Sequence, residues 1–215
     1  MADWATIASI GTAAGTMVLG AATFASVRSA NRAARLSERA LLVGLRPVLM
    51  PSRPGDPAEP ATWGDGFTMT VDPGMARVEE RDGVVYLAMA LRNVGAGLAV
   101  LRGWHLSHVE GWAATQPHEE PETFRLLRRD MYISGGDTGC WQGVARDSEP
   151  ELRQQVLDAL SGDRLKIELL YGDHEGGQPT ISRFLTTRVE GREGWSVSAS
   201  RHWILDPDAT VFLQH

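Results

Sequence analysis

The distribution of apolar positions divides the chain into three regimes. From Trp4 to Val27 no charged residue occurs. As a helix rising 1.5 Å per residue, these about 24 residues extend roughly 36 Å, against the roughly 30 Å of a bilayer's hydrocarbon core. A helical period continues through Arg28–Arg46, now with charge. Beyond Phe67 the period changes to two. Arg77–Arg81, the turn pair Asp82-Gly83 and Val84–Arg92 read as a hairpin, because Asp-Gly suits a type I′ turn. Val85, Leu87, Met89 and Leu91 alternate with Tyr86, Ala88 and Ala90. Both faces of that strand are apolar, so it is expected to be central.

The same alternation predicts strands over 98–109, 124–134, 139–146, 164–171, 180–189 and 195–205. One helix interrupts them. Ser148-Glu-Pro-Glu151 has the form of a capping box, Leu152, Val156 and Leu160 repeat every four residues, and Gly162 is the expected stop. Short turns, many strands and one helix imply a mainly β fold, an antiparallel β-sandwich with an inserted amphipathic helix. The expected division is an anchor over 1–27, a basic helix over 28–46, a Pro-rich connection over 47–62 and the sandwich over 63–215.

Charge sharpens the picture of the first 46 residues. Arg28, Arg32, Arg35, Arg39 and Arg46 stand against Asp3 and Glu38, a balance of +3, whereas the whole chain carries −6, so the remainder carries −9. Basic residues follow the apolar run instead of preceding it. This is the reverse of a cleavable signal peptide, and it predicts a single-pass plasma-membrane protein with its N-terminus outside and its C-terminal domain cytoplasmic. The single cysteine, Cys140, allows no intrachain disulfide and agrees with a reducing compartment. An acidic body excludes the profile of a nucleic-acid binder.

Within the apolar run, strongly hydrophobic residues are few and Ala, Gly, Ser and Thr are many. Gly11 and Gly15 form a G-x-x-x-G pair, which permits close helix approach and hence self-association of the anchor. At 3.6 residues per turn, Arg28, Arg32, Arg35 and Arg39 fall within an arc of about 60°. The bland reading is a solvated topology signal; the functional one is a stripe that touches anionic lipid or a protein partner.

The pattern Asn93-x-Gly95-x-Gly97-x-Ala99 between strands, with Tyr171-Gly-Asp173 before a glycine hairpin, resembles small bacterial immunoglobulin-like β-sandwich domains. It is also similar to uncharacterised actinobacterial proteins with one N-terminal transmembrane helix. The resemblance covers about residues 47–205. It implies a fold and a binding role, and no active site.

Candidate chemistry is sparse. Val94-Gly95-Ala-Gly97-Leu-Ala-Val100 mimics a dinucleotide fingerprint, but Val100 stands where the third glycine belongs and the following segment reads as a strand. His105 and His108 are expected on opposite faces of one strand, with no Cys or carboxylate at ligand spacing. Asp173-His174-Glu175 reads as a polar hairpin tip, and Cys140 as a partly buried, inert thiol. No catalytic, cofactor or metal residues are assigned. Six tryptophans (63, 104, 112, 141, 195 and 203) are expected to divide between core and rim, with Trp195 and Trp203 on one face. The expectation is a membrane-tethered interaction or ligand-sensing module. The alternatives are a membrane-bound hydrolase with a dispersed site and an accessory subunit of a membrane complex.

Overall fold

The computed structural model describes residues 4–109, 115–175, 178–191 and 193–205. The chain separates into two units, one ending at Gly44 and the other beginning at Leu45.

The first unit is a single helix, α1, over Trp4–Gly44. The anchor and basic segments expected from sequence form one continuous helix, which stops two residues before Arg46-Pro47. Met17 is 78% exposed, Val18 67%, Leu19 70% and Phe24 69%. Consecutive positions point in directions about 100° apart, so this apolar surface is not confined to one stripe. Among the described residues, no helix is long and apolar enough to cross a membrane.

The second unit is mainly β. In chain order the strands are β1 (Leu49–Pro51), β2 (Glu59–Thr62), β3 (Thr68–Val71), β4 (Met75–Arg81), β5 (Val84–Asn93), β6 (Ala99–His108), β7 (Arg125–Ile133), β8 (Thr138–Ala145), β9 (Arg164–Gly172), β10 (Thr180–Arg188) and β11 (Trp195–Ile204). Helix α2 (Pro150–Leu160) lies between β8 and β9. Every pairing is antiparallel. The small ribbon β2–β3, over the expected connection and the start of the domain, was not anticipated by periodicity; its strands have four residues each.

The remaining nine strands form one sheet, ordered β8-β5-β4-β11-β10-β9-β6-β7, with β1 sharing the β4 edge of β5. β5 is central, as its two apolar faces predict. Asp82 and Gly83 both have positive φ, 52° and 77°, as the type I′ reading requires. The sheet curls: Leu87, Met89 and Leu91 of β5 share a core with Leu165, Ile167 and Leu169 of β9. Trp104 of β6 meets Trp141 of β8 edge to face at 5.5 Å. The facing layers are thus halves of one sheet.

Three local expectations are corrected. The cap of α2 is Glu149, which makes no side-chain cap bond, because Arg125 and Arg128 hold its carboxylate. Gly162 does not adopt a left-handed stop. It lies where the His108 ring packs, and a Cβ there would collide with it. Trp195 and Trp203 part company. β11 carries a bulge where pairing with β10 passes from Phe184↔Ala199 to Arg183↔Arg201, and the extra residue reverses the alternation. Trp195 enters the main core, while Trp203 joins Phe124, Leu170 and Ile181 on the opposite face.

Candidate functional site

β7 and β8 are the two ends of the curled sheet, and the turn over 134–137 joins them. They meet at a seam without ladder pairing to each other, because β7 breaks its register. Its pairing with β6 runs Leu101↔Met131 and then Gly103↔Leu126, so Leu127, Arg128, Arg129 and Asp130 bulge from the ladder.

The bulge opens a cavity of about 240 Å³ between β7, β8 and the residues after β2. Its apolar lining includes Trp63, Trp104, Leu126, Leu127, Met131 and Val144. Trp104 belongs to the main core and Trp63 to the smaller core beneath β2–β3, so the cavity lies where the two cores approach. Gly143 fixes this arrangement. Trp63 Nε1 donates to its carbonyl at 3.2 Å, and a Cβ there would lie 2.8 Å from the Trp141 ring.

Four arginines line the same cavity: Arg125, Arg128, Arg129 and Arg146. Arg125 and Arg128 share Glu149, the second at 3.5 Å. Arg146 contacts Asp65 at 3.3 Å, and Tyr86 donates to the same carboxylate oxygen at 2.9 Å. Burial raises the Asp65 pKa, but bonds from Tyr86, the Phe67 amide and Arg146 outweigh it and hold the group below its ordinary value. Arg129 donates to uncharged acceptors, the Thr62 carbonyl at 2.9 Å and Gln142 Oε1 at 3.0 Å. Four cations thus stand against two carboxylates. Among the described residues, no Asp, Glu, His, Ser or Cys lines the cavity. Chemically it offers anion-binding donors beside apolar surface.

A second constellation lies on the outer face of the sheet. His105, Glu119 and Glu168 place ligand-capable atoms within 4.8 Å of one another. Sequence spacing missed it because the three residues come from β6, the segment over 115–124 and β9. Cations already occupy its carboxylates. Arg183 pairs with the fully buried Glu168 at 2.6 Å, and Lys166 pairs with Glu119 at 2.6 Å. The Glu119 amide also donates to Glu168 at 2.9 Å. Two positive charges beside the would-be ligands oppose a metal ion. The cluster instead fastens the 115–124 segment over the sheet, helped by Arg183 donating to the Gln116 carbonyl at 3.0 Å and to that of Pro117.

The remaining sequence candidates resolve individually. Arg28, Arg32 and Arg35 are exposed on α1; Arg39 lies on the same helix. Gly11 and Gly15 lie in the helix as well, and a Cβ at Gly15 would meet open space. Cys140 is partly buried, and burial raises its pKa despite a hydrogen bond from Gln142. His174 is exposed, 3.9 Å from Glu175. Trp112 lies outside the described residues. Gly95 and Gly97 serve a close approach. A Cβ on either would collide with the backbone carbonyls of Arg46 and Leu45. The seam was not visible in advance, since its arginines read as ordinary strand charges until the bulge and the curl bring them together.

No protein-family model and no curated protein matches the sequence.

Proposed function

We propose that the chain is a membrane-tethered ligand-sensing module whose β unit holds its ligand in the β7–β8 seam. One observation carries the reading: four arginines and two tryptophans surround a cavity whose lining, among the described residues, contains no carboxylate, histidine, serine or cysteine. Such a lining suits binding better than hydrolysis, which needs a positioned acid, base or nucleophile. A Ser–His contact among the described residues, Ser182 Oγ and His202 Nδ1 at 2.6 Å, argues the same way. Ser182 is fully buried and is also bonded to Tyr171 at 2.8 Å.

The tether is the uncharged stretch Trp4–Val27, and the arginines after it favour a cytoplasmic β unit. The Gly/Ala-rich composition supports a helix that depends on neighbouring helices, through self-association at Gly11 and Gly15 or as an accessory subunit in a membrane complex. The exposed Met17, Val18, Leu19 and Phe24 favour such contacts. Kinship with immunoglobulin-like sandwiches rests on the Asn93–Ala99 motif and the curled antiparallel sheet. It bears on fold alone.

The test is to extract the full chain from membranes in mild detergent and identify retained small molecules by mass spectrometry. The reading expects a species enriched with the wild type and lost from an Arg128→Gln/Arg129→Gln double variant. Identical retention by both would contradict it.

A further inference from the structure

We infer that the seam takes a compact organic dianion, of the phosphate-monoester type, with an apolar body. The inference rests on the seam being the ligand site and adds the ligand's chemistry.

The charge balance sets the head group. Arg125, Arg128, Arg129 and Arg146 face the cavity, and the carboxylates engaging them are Glu149 and Asp65. Two positive charges are left over. A dianion neutralises both, and guanidinium forks match phosphate oxygens in bidentate geometry. A phosphate monoester carries about −1.5 to −2 at neutral pH. Arg129 is central, since it donates to Thr62 O and Gln142 Oε1, which are uncharged and leave its positive charge unneutralised. Arg128 is 72% exposed, and its contact with Glu149 is long, at 3.5 Å.

The lining sets the body. Leu126, Leu127, Met131, Val144 and the two tryptophans offer apolar surface that inorganic phosphate has no group to cover. A cavity of about 240 Å³ falls below the roughly 300–1,000 Å³ of drug-sized sites, which points to a small body. The same chemistry occurs in soluble aryl or alkyl phosphates and in the monoester head group of phosphatidic acid.

Isothermal titration of the full chain in neutral-lipid nanodiscs tests this with 1-naphthyl phosphate, 1-naphthol and inorganic phosphate. We expect naphthyl phosphate to bind at least about tenfold more tightly than either fragment, each lost contact set being worth about 1.4 kcal/mol. Arg129→Gln should weaken it about tenfold, while Arg164→Gln, an exposed arginine on β9, leaves it unchanged. Circular dichroism and thermal midpoints of both variants control for folding. A parallel arm compares nanodiscs with and without phosphatidic acid. A higher midpoint only with that lipid, again lost in Arg129→Gln, assigns the dianion to the bilayer. Equal affinity for naphthol and naphthyl phosphate, or an unaffected Arg129→Gln, overturns the dianion. No response to either phosphate overturns it as well. If mass spectrometry meanwhile shows a neutral molecule lost from the seam variant, the seam reading survives without it.

Discussion

Asn93 shows how much one side chain organises. It is fully buried, and its amide uses four contacts. Oδ1 accepts from the Val48 amide at 3.1 Å and the Gly95 amide at 3.0 Å; Nδ2 donates to Gly97 O at 2.6 Å and Ile133 O at 3.0 Å. It ties the start of the β unit to the β5–β6 turn and to the end of β7. Asn93→Asp turns two donations into carboxylate–carbonyl repulsions. It should cost about 3 kcal/mol or more, read as a lower midpoint in chemical denaturation. Asn93→Ala leaves all four groups unpaired without adding charge and should also lower the midpoint. A neutral Asn93→Asp would remove the clamp from this account. Cys140 gives a second test at this scale. With its pKa raised by burial, it should react with iodoacetamide more slowly than a free thiol at neutral pH, and unfolding should abolish the difference.

At the scale of elements, the 115–124 segment is fastened by charges that titrate. Burial lowers the His105 pKa below its ordinary 6.5, against the opposing pull of Glu119 and Glu168 and assisted by Lys166. Burial lowers His202 likewise. The Lys166 hydrogen bond, foremost, holds Glu119 below its ordinary 4.5. All three groups bind protons more readily in the unfolded chain, so their contributions make stability rise with pH and fall on acidification. The histidine part is complete above about pH 6.5 and declines below it as the unfolded imidazoles charge first. The Glu119 part is present above its unfolded value and is lost as pH falls through its lowered folded value. Hydrogen exchange over 115–124 should therefore accelerate on acidification relative to β5, after correction for intrinsic rates. Glu119→Gln should weaken the Lys166 contact, lower stability by about 1–2 kcal/mol and remove the acidic part of that dependence. Uniform exchange changes across the β unit would sink the idea.

Most elements were legible because their residues declare them locally. Val84–Arg92 alternates with both faces apolar, Asp82-Gly83 fixes its turn, and α2 has its Leu152–Val156–Leu160 spacing. The failures are those of long-range geometry. Nothing near Ser200 signals the bulge that turns Trp203 away from Trp195. Ser148 looks like a cap until Arg125 and Arg128, from a strand more than twenty residues earlier, take Glu149. The seam has the same character, since Arg125–Arg129 and Arg146 join one cavity only through a register break in β7 and the curl of the whole sheet.

At the scale of the whole molecule, the proposed tether and the proposed binding unit are tested separately. Fusions of a cytoplasm-only and a periplasm-only reporter to the C-terminus should give activity from the first alone; activity from the second alone reverses the orientation, and a soluble fusion removes the tether. The seam itself is tested most directly by hydrogen exchange of the full chain with and without the small-molecule fraction of its own cells. Protection should concentrate over 125–131 and 142–146, where β7 and β8 face the cavity, and should vanish in Arg128→Gln/Arg129→Gln. Protection confined to the 115–124 segment, or none in either half of the seam, would contradict a ligand site there.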